Sequence, residues 1–207
     1  MYKYSKLIKF ALSSSFVIIA ATCAITNDSF YPLFILAGAL LCWHGDMTLS
    51  RIGIFDKIYT QHFLIGMLSF VLGHSAYALA FNYKMSKEGS ISFPILIITF
   101  LFYSAVTVLL WKIFIWRGDT PPPMRYAALT YALVISYSAS SALTLFVVYK
   151  GFWIMPAIGG VLFMFSDFLI GANNFGKRKI PRFEFWVWAT YSVAQFLIVS
   201  VPVFTRV

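Results

Sequence analysis

Seven apolar segments, each about 20 residues or longer, follow one another along this chain with only short polar interruptions. They run Leu7–Ile25, Phe30–Leu49, Ile58–Phe81, Ile91–Trp116, Met124–Tyr149, Phe152–Ala172 and Phe185–Phe204. About 20 helical residues cover the ~30 Å hydrocarbon core of a bilayer. In that solvent every backbone N–H and C=O must be satisfied within the protein, which leaves helices or a closed barrel. A barrel needs strands of about 10 residues with alternating polarity, and no such pattern is present. The expected fold is therefore all-α: a polytopic membrane bundle of about seven helices forming a single domain over residues 1–207.

Composition agrees. Of the 207 residues, 60% are hydrophobic and 11% charged, against about 25% charged in an average soluble domain. The mean hydropathy is +0.81. The net charge of +9 would suggest nucleic acid in a soluble protein, but here the position of the charges carries the meaning. Lys3, Lys6, Lys9, Arg51, Lys57, Lys112, Arg117, Arg125, Lys177, Arg178, Lys179 and Arg182 flank one set of segment ends; Lys84, Lys87, Lys150 and Arg206 flank the other. The excess of Lys and Arg marks the cytoplasmic side, so the N-terminus is expected inside and the C-terminus outside. The basic residues then face anionic lipid headgroups, and no nucleic-acid partner is implied. Lys3, Lys6 and Lys9 followed by an apolar run also resemble a cleaved leader, but the run is read as the first membrane helix. Cys23 and Cys42 both lie in apolar runs, which argues against a disulfide framework and a Cys-ligated metal.

Seven acidic residues are present, and five of them lie in connections or at a helix start. Asp46 and Asp167 fall inside segments, where an ionisable side chain is costly and marks a functional site. Both lie about 15 residues into segments that run the same way, so they are expected at one level, in the cytoplasmic half. Asp167 shares a helical stripe with Gly160, Met164, Gly171 and Asn174. Tyr191 and Gln195 are four apart on the last segment, His74 and Tyr77 three apart on the third, and Tyr131 falls at similar depth on the fifth. These residues are expected to form a polar layer in an oily bundle. His44, two residues from Asp46, points away and is read as peripheral. Internal repeats and paired helix breaks, which a carrier or channel often shows, are not evident, yet a proton-coupled carrier using the same buried acids remains the alternative reading. The last segment has no Lys to hold retinal, and His44, His62 and His74 make a weak zinc set.

Four blocks carry a family resemblance. HGDMTL from His44 resembles the Gly-Asp-x-x-Leu motif of the YhhN family of membrane proteins, and FLIGMLSFVLGHSAY from Phe63 resembles its Gly-His-x-x-Tyr helix. GVLFMFSDFLIGANNF from Gly160 resembles its Phe-x-x-Ser-Asp segment, and TYSVAQFLI from Thr190 its Tyr-x-x-Ala-Gln motif. The blocks occur in the family's order and cover about half of the chain. Members usually show one more span than this chain, and Phe10-Ala11-Leu12 stands in place of their proline step after Lys9.

The resemblance implies a lysoplasmalogenase: an ether hydrolase of lipid metabolism that cleaves the vinyl ether of lysoplasmalogens to a fatty aldehyde and glycerophosphoethanolamine or glycerophosphocholine. It implies Asp46, His74, Tyr77, Asp167, Tyr191 and Gln195 as site residues, with a lysophospholipid as substrate and the bacterial inner membrane as location. The chemistry suits two carboxyl groups. Protonating the β-carbon creates an oxocarbenium ion, which a second carboxylate stabilises while water is captured, as in glycosidases. Such acid–base chemistry requires no metal or cofactor. Either aspartate can take either role on sequence alone. Tyr191, Gln195 and His74 are expected to orient water or the substrate hydroxyl, and Lys177, Arg178 or Arg182 to meet the phosphate.

Overall fold

The computed structural model describes residues 2–89, 92–116, 121–176 and 179–205. Arg117, Asp119, Lys177, Arg178 and Arg206, and the side chain of Lys3, lie outside the described residues. The described chain is all-helical: α1 (Tyr2–Ile25), α2 (Phe30–Leu49), α3 (Phe55–Ile58), α4 (His62–Lys87), α5 (Phe93–Phe114), α6 (Pro122–Tyr149), α7 (Ile154–Asn174) and α8 (Phe183–Phe204). A 3₁₀ turn, Gly151–Trp153, leads into α7. Seven of these helices, all but α3, are long and apolar enough to cross a membrane.

Six helices close a ring in the order α1, α2, α4, α6, α7, α8, with α8 returning to α1, and α5 lies outside it along α6. Small residues set the tightest crossings, as lipid-solvated helices require. A Cβ on Gly38 of α2 would stand 3.0 Å from the carbonyl oxygen of Gly73 on α4, so these two backbones touch. At the α6–α7 crossing, a Cβ on Gly160 would meet Ala139 Cα at 2.9 Å. The α5–α6 seam is made by hydroxyls, with Thr99 Oγ1 3.2 Å from Thr144 Oγ1 and Thr107 Oγ1 2.8 Å from Ser136 Oγ. The outward face of α5 is bare: Ile98, Leu101 and Phe102 are all more than 60% exposed, which suits a face against lipid tails rather than water.

The third apolar segment differs from expectation at both ends. Ile58 belongs to α3, a separate short helix after the left-handed Arg51 and Gly53, and α4 begins only at His62 beyond Tyr59-Thr60-Gln61. At its far end α4 continues six residues past Phe81 to Lys87. Lys84, read above as part of a connection, is a buried residue of the last turn whose Nζ lies 2.6 Å from Glu88 Oε1. An i,i+4 ion pair lets the turn stay helical while the long side chain reaches toward the polar end. His74 thereby sits twelve residues into α4, about 18 Å from its start.

Candidate functional site

Asp46 lies near the C-terminal end of α2, facing the inside of the ring, and only 5% of it is exposed. Two hydroxyls converge on one of its oxygens. Ser13 of α1 donates to Oδ2 at 2.5 Å, and Tyr191 of α8 donates to the same atom at 2.5 Å. Behind Tyr191 the bonding continues. Gln195, one turn further along α8, donates through Nε2 to the Tyr191 oxygen at 3.2 Å, and Tyr77 of α4 donates to Gln195 Oε1 at 2.7 Å. Every donor in this run points toward the carboxylate, and four helices are tied together by it. Buried polar groups are tolerated where they are bonded in this way.

Asp167 is held more simply: Tyr131 of α6 donates to its Oδ2 at 2.8 Å. Both aspartates line one cavity of about 580 Å³ that reaches from the inside of the ring out to α5. Its wall is mainly apolar, with Phe63, Met67 and Phe70 of α4, Ile135 of α6 and Met164 of α7. The polar exceptions include Lys9, Asp46, Ser50, Tyr131, Asp167 and Tyr191. Phe114 and Phe168 meet edge to face at 5.0 Å, joining α5 to α7 toward the end of the bundle that carries the N-terminus. Further along, Phe102 of α5 and Val161 and Phe165 of α7 line the cavity yet are 61%, 46% and 47% exposed. The cavity therefore opens sideways there, onto the apolar outer face of the bundle.

The residues singled out from the sequence separate into three groups. Asp46, Asp167, Tyr131 and Tyr191 line the cavity, together with Met164 and Gly171 of the Asp167 stripe. Tyr77 and Gln195 stand behind it and reach Asp46 through hydrogen bonds. His74 and Asn174 do neither. The His74 ring is buried edge-on against Phe163 at 4.1 Å, and neither of its nitrogens has a hydrogen-bond partner. Asn174 is exposed at the end of α7 and accepts from Asn173 Nδ2 at 3.2 Å. His44 bonds Ser69 at 2.8 Å and Tyr59 at 3.0 Å, away from the cavity. Of the cations expected near the lipid phosphate, Lys177 and Arg178 lie outside the described residues, and Arg182 is exposed without lining the cavity. Among the described residues, no three His, Cys, Asp or Glu side chains come together as a metal site.

Two contributors came from α1, expected only as the first membrane helix with basic residues on the cytoplasmic side. Lys9 and Ser13 of α1 are four residues apart, hence on one face; Lys9 lines the cavity and Ser13 bonds Asp46 from behind. The available signal was Lys9, the last of three Lys before the apolar run, followed one turn later by Ser13-Ser14-Ser15. Trp188 of α8 also joins the wall, with its ring 5.4 Å from that of Tyr191.

The model of the YhhN family matches residues 5–201, nearly the whole chain. No curated protein matches, and no solved structure does.

Proposed function

The chain belongs to the YhhN family, and from that premise we propose that it is a lysoplasmalogenase working by acid–base chemistry of Asp46 and Asp167. The observation that carries the reading is that the two intramembrane acids line one largely apolar cavity, each bound to hydroxyl donors. A single-chain lipid enters from the bilayer by the side opening, its alkenyl chain against the Phe-rich wall and its vinyl ether between the carboxyls. The protein is a single-domain resident of the bacterial inner membrane, with the N-terminus cytoplasmic and the C-terminus outside.

The hydrogen bonds divide the roles. Asp46, with two donors on one oxygen, is built as the carboxylate, because donors favour the charged form. Asp167, with one donor, is the acid. Asp167 gives its proton to the β-carbon of the vinyl ether, forming a C–H bond and an oxocarbenium ion that Asp46 stabilises. Water adds to the cationic carbon and leaves its proton on Asp46. The hemiacetal then collapses: Asp46 returns that proton to the departing glycerol oxygen while Asp167 takes the hydroxyl proton. Aldehyde and glycerophospho-alcohol leave, and both acids are back in their starting states.

The test is aldehyde release from a lysoplasmalogen by purified protein in detergent, beside an ester lysolipid of equal chain length and an Asp167→Asn control. Aldehyde from the vinyl ether alone, lost in the control, is the expected result; none from a folded, monodisperse sample would refute the reading. The run from Tyr77 through Gln195 and Tyr191 to Asp46 favours one other possibility, a proton-coupled carrier. A carrier would acidify the lumen of vesicles in response to a solute gradient, without consuming lipid.

A further inference from the structure

Among the described side chains lining the cavity, Lys9 has the only positive charge. Its Nζ stands 3.7 Å from Glu184 Oε2 and 5.0 Å from the centre of the Trp188 ring, both on α8. The Lys9 side chain is 20% exposed and that of Glu184 69%, so the cation faces inward and its counter-ion outward. A contact of 3.7 Å is longer than the ~2.8 Å of a charge-assisted hydrogen bond. The aromatic face steadies the ammonium without occupying its three donors.

Spacing along α1 supplies the rest. Ser13, which holds Asp46, lies four residues after Lys9, about 6 Å further along the helix axis. The helix position that carries the positive group thus lies one turn from the one that holds the carboxylate, and the glycerol backbone puts a comparable reach between an sn-1 ether oxygen and an sn-3 phosphorus. Among the described residues, a cavity with two acids and a mainly apolar wall offers no other cation to an anionic headgroup.

We propose that Lys9 binds the phosphodiester of a single-chain glycerophospholipid in this cavity, displacing Glu184 as its counter-ion. The substrate class rests on the hydrolase reading above; the anion site itself rests on the cavity and on α1. Placing the phosphate at Lys9 sets the ether beside Asp46 and leaves the chain to run toward the side opening. It adds a headgroup contact on α1 to those expected from the α7–α8 connection.

The experiment measures binding rather than turnover, so failure of the hydrolase reading and failure of the site are distinguishable. Purified protein in a nonionic detergent is titrated with a saturated 1-alkyl lysophospholipid, which has no vinyl ether to cleave, with the matching 1-alkylglycerol, and with inorganic phosphate. The phosphate-bearing lipid is expected to bind at least about tenfold tighter than the alkylglycerol, the worth of a hydrogen bond to a charged group. Lys9→Gln is expected to bring that ratio near one, Lys9→Arg to restore most of it, and Glu184→Gln to raise it by removing the competing carboxylate. A ratio that survives Lys9→Gln overturns the proposal, as does displacement of the lipid by equimolar inorganic phosphate, which would mark a free-anion site. If Lys9→Gln does not fold, Glu184→Gln decides, and an unchanged ratio there overturns it.

Discussion

Tyr191→Phe isolates one oxygen atom. The ring of Tyr191 lies 6.0 Å from Phe70, 5.3 Å from Phe163 and 5.4 Å from Trp188, and Phe keeps all three contacts. What disappears is the donor to Asp46 Oδ2 and the acceptor for Gln195 Nε2. A hydrogen bond to a charged group contributes about 1.5–3 kcal/mol, so the carboxylate that stabilises the oxocarbenium ion loses about one to two powers of ten in rate. Stranding the buried Gln195 amide costs about 1–3 kcal/mol of stability, which lowers the unfolding temperature in detergent without abolishing the fold. Steady-state aldehyde release is the assay, with Ser13→Ala in parallel, since Ser13 supplies the other donor to the same oxygen. Both singles are expected to lower kcat by about 10- to 100-fold, and the double variant to depart from additivity by about 0.5–3 kcal/mol because the hydroxyls share one acceptor. Tyr191→Phe within twofold of the parent kcat, in a folded sample, would refute the claim that Asp46 acts as a hydrogen-bonded carboxylate.

Other expectations follow from the same geometry. Asp46→Asn and Asp167→Asn each remove a proton-transfer group and are expected to lower turnover by at least about 100-fold, read as aldehyde per mole of protein; full turnover in either sinks the paired-acid mechanism. Tyr131→Phe removes the one donor to Asp167 among the described residues and is expected to lower kcat by about tenfold while leaving lipid binding close to that of the parent. Val161→Trp narrows the side opening between α5 and α7; it is expected to raise KM and slow lipid exchange, measured by titration with a fluorescent lysolipid. Gly160→Leu drives a side chain into Ala139 of α6. Loss of a monodisperse peak on size exclusion is the expected result, since the helices have no room to separate by a side chain's width.

The hydropathy pattern by itself determined that the chain is a bundle of about seven membrane-spanning helices. Each span is a local property: a run long enough for the bilayer, bounded by polar residues. The same scarcity of charge made Asp46 and Asp167 conspicuous, because an acid in hydrocarbon is expensive wherever it points. Boundaries were less legible. Ile58 is apolar yet belongs to α3, and Lys84 is charged yet buried in α4, because an ion pair or a left-handed turn outweighs hydropathy residue by residue.

Tertiary structure alone decided who meets whom. Ser13 and Asp46 are 33 residues apart and Asp46 and Tyr191 are 145 apart, and no periodicity within one helix reports the rotation of another. Asn174 shares a stripe with Asp167 but does not line the cavity, although Phe175 beside it does, while His74 turns behind Phe163. By sequence Lys9 belonged with the basic residues that mark the cytoplasmic side, because its charge sits near a helix end. It became a cavity residue because α1 packs between α2 and α8 with that face inward, an outcome of how the ring closes rather than of any residue along α1.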